Sequence, residues 1–232
     1  MAASKGLQKL TILVLILAVP GFLYYLLTAK GKNRYKPLPY YGAKKLSGTS
    51  HKFHGKIIPD TLYHTVPDFT LTDQQGKQVS LKSIGEKILV LNFFYTNCGD
   101  ACKEVNARMD SLVKRLAKND LMQFASITVD PQRDNVPALQ KFSAGFNRPA
   151  DKWLFLTGDT STIYPLARNG LLVDALQDGD NFVLSNKIIL LDSDHHIRGY
   201  YDVASTSDAT RLGDEIKVQI TEELRKKEKP LY

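Results

Sequence analysis

The apolar positions fall into three patterns. The first is an uncharged run, Leu10 to Thr28. It is apolar on every side of a helix and about long enough to cross the hydrocarbon core of a bilayer. Lys5 and Lys9 precede it, as in a signal peptide or signal anchor, and no convincing small-x-small cleavage site follows, which favours an uncleaved anchor over a cleaved signal. Tyr24 and Tyr25 suit an interfacial belt. Residues 1–29 are therefore predicted to form an N-terminal transmembrane helix that is retained as an anchor. The second pattern is the absence of any period. Residues 30–60, with Pro37-Leu-Pro39, Tyr40-Tyr-Gly42 and Ser47-Gly-Thr-Ser50, show neither helical nor strand spacing. They read as a basic tether, and His51 and His54 as exposed loop histidines.

The third pattern, over residues 61–228, alternates strand-like and helix-like stretches. Residues from Phe69 to Leu81 alternate around Gly76, which predicts a hairpin. Ile88–Phe94 is nearly all apolar, which predicts a central strand buried on both faces. Val105, Met109, Leu112, Val113 and Leu116 then recur at helical spacing, a helix running to about Lys118. Further strands are predicted at Phe124–Val129, Trp153–Leu156, and as a hairpin of Phe182–Leu191 with Ile197–Asp202. Helices are predicted from about Val136 to Phe146, from Ser161 to Asn169 with a stop at Gly170, and from near Ser207. The last carries the stripe Leu212, Ile216, Ile220, Leu224 and a basic end. Strands alternating with helices predict an α/β domain, a central mixed sheet flanked by helices. Ligands of such sheets gather beyond the carboxyl ends of the strands.

Cys98 and Cys102 lie there, between the central strand and its helix, and they are the only cysteines in the chain. On a helix, positions i and i+4 share a face, with Cα atoms about 6 Å apart, inside the disulfide range. Two such thiols form a disulfide or converge on a soft ion such as Cu(I). A helix N-terminus stabilises the thiolate that both chemistries need. Two small buried residues are the alternative. The polar residues between them, on a loop of a kind that seldom buries its tip, favour a functional pair.

Charge changes the picture in one respect. The formal net charge is +7. Residues 1–56 hold ten Lys/Arg and no Asp/Glu, leaving 21 Lys/Arg against 24 Asp/Glu in residues 57–232, a balance of −3. The basic excess belongs to the N-terminal segment, beside the apolar run. This argues against nucleic acid as a partner, which needs a basic face on the domain. It suits anionic lipid headgroups instead. Lys30, Lys32, Arg34 and Lys36 after the span would by charge counting lie in the cytoplasm. The cysteine chemistry instead favours an exported domain facing the periplasm or an equivalent side.

Val66-Pro-Asp-Phe-Thr-Leu, Phe93-Phe-Tyr-Thr, Cys98-x-x-x-Cys102, Val129-Asp-Pro-Gln-Arg-Asp134 and Trp153-x-Phe-Leu-Thr-Gly158 together resemble the Sco/SenC family over roughly residues 60–224. Gly99 stands where the family usually has a proline. The resemblance implies a thioredoxin-like fold, a single-pass membrane anchor, and copper bound through Cys98 and Cys102. The partner it implies is a cytochrome c oxidase subunit, or another copper or thiol protein. It also implies a copper-ligating histidine where this chain has Leu184 or Ser185. His195 and His196 fall at the other end of the same stretch, and His64 has no evident role. Two thiolates without a third ligand shift weight from metallochaperone towards thiol–disulfide oxidoreductase, which needs only the cysteines. A permanent structural disulfide is the third reading. Asp130, Arg133 and Asp134 are expected to be structural: Asp134 as a helix cap, Arg133 paired with a carboxylate.

Overall fold

The computed structural model describes residues 2–26, 37–53, 55–178, 181–184, 186–202 and 204–228. The chain divides into two compact units, Met1–Lys36 and Pro37–Tyr232. The first unit contains helix α1 (Ala2–Tyr25), with Pro20 inside it. Its side chains from Ile12 to Leu17, with Val19, Phe22 and Leu23, are all exposed. Among the described residues, no helix is long and apolar enough to cross a membrane. The uncharged run continues past the described helix to Thr28.

The second unit opens with two strands that its sequence conceals. β1 (Lys44–Phe53) and β2 (Lys56–Tyr63) pair antiparallel as a separate two-stranded sheet. They occupy about half of the stretch read as an aperiodic tether. That reading failed because neither face of the hairpin enters the core, so no alternation is imposed on it. His51 lies on β1 and pairs with Asp60 at 2.5 Å, while His54 lies outside the described residues.

The main sheet has seven strands. They are β3 (Thr70–Asp73), β4 (Gln78–Ser80), β5 (Ile88–Phe94), β6 (Met122–Thr128), β7 (Trp153–Thr157), β10 (Lys187–Leu191) and β11 (Ile197–Asp202). Their order is β11-β10-β5-β6-β7-β3-β4, with β5, β6 and β7 mutually parallel and the other pairs antiparallel. The short helix α2 (Leu81–Ile84) follows β4, with Ser80 and Ser83 forming a capping box. Helix α3 (Asp100–Leu116) joins β5 to β6, α4 (Val136–Ala144) joins β6 to β7, and α5 (Thr160–Pro165) follows β7. Pro165 ends the regular α-helix, and a π-turn over Leu166–Gly170 completes it. The stretch Phe182–Leu191 is not one strand. β8 (Ala175–Asp178) and β9 (Asn181–Leu184) form a hairpin of their own, and only β10 pairs with β11.

β5 is buried at every position, as its composition predicts. Leu89, Leu91 and Phe93 face a core layer with α2, α5 and the π-turn. Ile88, Val90 and Phe94 face the other layer, with α3, α4 and the last helix, α6 (Thr206–Lys227). Helices thus cover both faces of a mixed sheet, as the thioredoxin-like reading expects. Asn92 interrupts the apolar run without cost to hydrogen bonding. It accepts from the Ser126 hydroxyl at 2.6 Å, which in turn accepts from Trp153 Nε1 at 2.9 Å.

The apolar stripe of α6 stops halfway. Leu212 and Ile216 are buried, but Leu224 is 50% exposed and Glu223 is 2% exposed. Glu223 accepts from the Ser193 hydroxyl at 2.5 Å, from Gln219 at 2.8 Å and from Lys226 at 3.2 Å. Burial pushes its pKa up. The Ser193 hydroxyl and N–H, with Lys226, outweigh burial and hold it below the ordinary glutamate range. A lowered folded pKa gives stability that is full above the unfolded pKa and lost as pH falls through the folded one. Glu223→Gln is expected to cost about 1–3 kcal/mol at neutral pH. Urea titrations of both proteins from pH 7 to pH 3 should show the gap closing at the acid end. A gap that stays constant contradicts the assignment.

Segment 37–43 is docked rather than free. Leu38 is buried, its N–H donates to Glu222 at 2.9 Å, and the Tyr41 N–H donates to the Ile197 carbonyl at 2.9 Å. Gly42, at φ +97°, passes so close to His64 that a Cβ there would stand 2.5 Å from the His64 Cβ. His64 Nε2 lies 2.7 Å from the Gly170 carbonyl oxygen, which gives that histidine a structural role.

Candidate functional site

The parallel register places two loops side by side at the carboxyl ends of β5 and β6. Phe94 pairs with Thr128, and the Val129 N–H donates to the Phe94 carbonyl at 2.9 Å. The loop after β5 turns at once, the Cys98 N–H donating to the Tyr95 carbonyl at 3.2 Å. Gly99 is the N-cap of α3 and supplies no capping side chain. The first-turn N–H groups of α3 therefore begin directly beside Cys98, where they favour negative charge.

Cys98 is half-buried and disulfide-bonded, and the chain holds one other cysteine, Cys102. Cys102 lies in the first turn of α3, as its spacing predicts, and its side chain is outside those described. Among the described residues there is no free cysteine.

The loop is held from β6. Asp134 is fully buried, and its carboxylate accepts from the Thr96 N–H at 3.0 Å, from the Thr96 hydroxyl, and from the Thr128 hydroxyl at 2.5 Å. The expected cap of α4 is instead Asn135, which accepts from the Ala138 N–H at 3.1 Å. The two residues are adjacent, and the buried threonine donors claim the aspartate. Arg133 pairs with Asp130 at 2.5 Å, as expected. Tyr164 closes the same end of the sheet by donating to the Val129 carbonyl at 3.0 Å. Its pKa is raised, first by burial and then by Asp130. Asp134→Ala would leave three donors in the loop and strand without an acceptor, each worth about 1–3 kcal/mol when buried. The expected result is a loss of about 3 kcal/mol in denaturant titration, with faster amide exchange at Thr96–Cys98. Unchanged exchange would mean that Asp134 does not hold the loop.

Register also orients β10 on the central strand. Ile188 pairs with Asn92 and Leu191 with Leu89. The start of β10 therefore lies at the carboxyl end of β5, the end that carries Cys98. Leu184 closes β9, with its side chain outside those described, and Ser185 lies outside the described residues. His195 and His196 lie at the opposite end, a strand length of about 23 Å away. His195 adopts φ +63° in the turn. Ligand atoms of His196, Asp192 and Asp194 come within 4.8 Å of one another there. Asp192 is already paired with Arg198 and Asp194 with Lys226, and the set is hard where Cu(I) is soft.

Comparison with known proteins converges on one family. The SCO1/SenC family model matches residues 59–220. A SCO1 protein homolog of Bacillus subtilis is 39% identical over 105 residues, covering 45% of this chain and 54% of its own. This chain thus spans about half or less of the length of such curated relatives. Among solved structures, BsSco is 28% identical with a TM-score of 0.59, over 68% of this chain and 94% of that one. BsSco is a cytochrome c oxidase assembly protein of the Sco family, in which a disulfide switch has been identified. Copper-bound ScoI of Bradyrhizobium japonicum is 26% identical with a TM-score of 0.51, over 64% of this chain and 98% of that one.

Proposed function

The chain belongs to the SCO1/SenC family, and from that premise we propose that it binds Cu(I) through Cys98 and Cys102 and delivers it to a copper centre of cytochrome c oxidase. The observation that carries this reading is Cys98 itself. It is oxidised, half-buried, and fixed by Asp134 on the loop between the central strand and the N-terminus of α3. A reductant supplies two electrons and two protons to open the disulfide. Copper then displaces the thiol protons and sits between two thiolates, with the helix N-terminus offsetting their charge. Copper is the cargo here, so the site must release it as well as hold it.

A second reading rests on the chain's departure from the family. With Leu184 or Ser185 in place of a histidine, the same pair serves thiol–disulfide exchange without needing a third ligand. The chain would then keep the thiols of a copper protein reduced, passing two electrons to the partner's disulfide as its own forms. Both readings place the protein on the exported side of a membrane, anchored by the Leu10–Thr28 run, which extends beyond α1. Support for the anchor is the uncharged run Leu10–Thr28 and the exposed apolar side chains of α1, which water alone would leave uncovered. Cu(I) titration of the reduced full chain against a competing chelator separates the readings. One tightly held copper per chain supports delivery. Weak binding with a readily reduced disulfide supports exchange, and a potential below about −300 mV would make the disulfide structural.

A further inference from the structure

The hairpin β1–β2 lies outside the seven-stranded sheet, and cross-strand partners on it share a face. One face carries Lys44, Leu46, Ser50 and Lys52 from β1, opposite Tyr63, Thr61, Pro59 and Ile57 from β2. Leu46 is 72% exposed and Ile57 69% exposed. The face has no carboxylate. The acid of the hairpin, Asp60, points the other way and is engaged by Thr49 at 2.6 Å and His51 at 2.5 Å. At the base of the face Tyr63 stacks on Tyr40 at 4.0 Å, which ties the hairpin to the docked segment.

An apolar strip flanked by lysines, with no acid, is unsuited to a second copy of itself, since Lys44 and Lys52 would be brought together. It is suited to a bilayer interface, where aliphatic tips enter the acyl boundary and ammonium groups meet phosphates. The sequence keeps it within reach of such a surface. Only 18 residues separate Tyr25, at the end of α1, from Lys44, and they include Lys30, Lys32, Arg34 and Lys36. Resting on the anchored reading above, we infer that this face of the hairpin seats on the anionic surface of the membrane that holds α1. Leu46 and Ile57 enter the interface, and Lys44 and Lys52 contact lipid phosphates.

The test uses the full chain in nanodiscs, with Ile57→Trp as reporter and brominated lipid as quencher. The parent chain, whose single Trp153 is buried, supplies the background. Emission should fall at least about twofold in discs of brominated phosphatidylglycerol and little in discs of brominated phosphatidylcholine, as electrostatic seating requires. Adding Lys44→Glu and Lys52→Glu should abolish the quenching while capture by the discs is unchanged. Quenching that is absent, equal in both lipids, or indifferent to charge reversal overturns the inference and leaves the anchor intact. A chain that is not captured by discs of either kind overturns the anchored reading and this inference together.

Discussion

Cys98→Ser and Cys102→Ser are each expected to abolish tight one-to-one Cu(I) binding by the reduced chain. Two-coordinate Cu(I) depends on both thiolates, and a serine hydroxyl at neutral pH is neither soft nor ionised. On the family resemblance the third ligand's position is Leu184 or Ser185 here, so no histidine is expected to share the load. Loss of one thiolate should exceed the roughly 10–100-fold that changes around a metal's ligands usually cost. The same titration should show Leu184→His or Ser185→His raising affinity, since the resemblance puts the family's histidine there and the register of β10 on β5 brings the start of β10 to the Cys98 end of the sheet. If either single serine variant still holds copper as tightly as the parent, the cysteine pair is not the copper site. If neither histidine helps, the placement of the lost ligand is wrong.

Arg198→Met is expected to be the most destabilising single change in the domain. Arg198 is 1% exposed, and every nitrogen of its guanidinium donates a hydrogen bond. It donates to Asp192 at 3.0 Å, to Glu222 at 2.8 Å, and to the carbonyls of Leu38 at 2.7 Å and Pro39 at 3.2 Å. The Tyr40 ring covers it, with 4.1 Å from guanidinium carbon to ring centroid. Methionine fills the volume but leaves the fully buried Asp192 carboxylate without its cation. Breaking such a pair costs about 3–5 kcal/mol, a fall in Tm of roughly 6–20 °C for a domain of this size. Limited proteolysis within residues 37–43 should accelerate as well, because the same guanidinium holds that segment down. Adding Asp192→Asn should recover part of the loss, since the charge left behind accounts for much of it. A change in Tm of under about 2 °C would mean that segment 37–43 is not fastened by this arginine.

Part of the site is legible in the sequence. A seven-residue, nearly all apolar run bounded by polar residues predicts a central strand, and the helical spacing that follows Cys102 predicts where the next helix lies. Cys98 and Cys102 at a strand-to-helix junction follow from those two facts. The tie from Asp134 to Thr96 does not, because it joins residues 38 apart in the chain. Locally, an aspartate before a helix reads as a cap. Only the parallel pairing of β5 with β6, which sets the two loops side by side, gives it another partner. Glu223 is a similar case, since its burial depends on Ser193 from a turn 30 residues away.

The elements whose side chains enter the core are written into the order of residues. Burial imposes a period of 2 on β3 and β4, a continuous apolar run on β5, and a helical stripe on α3 and on the first half of α6. The cysteine pair and its junction are written there too, because covalent spacing needs no third dimension. The hairpins β1–β2 and β8–β9, and the docking of residues 37–43 under Arg198, exist only in the folded arrangement. So do the choice of aspartate that serves the loop and the end of the sheet that receives the Leu184 segment. The hairpins rest on backbone pairing between neighbours in sequence, and the other features on hydrogen bonds and ion pairs between distant residues. A polar contact leaves no periodic trace in the chain, whereas a buried apolar face does.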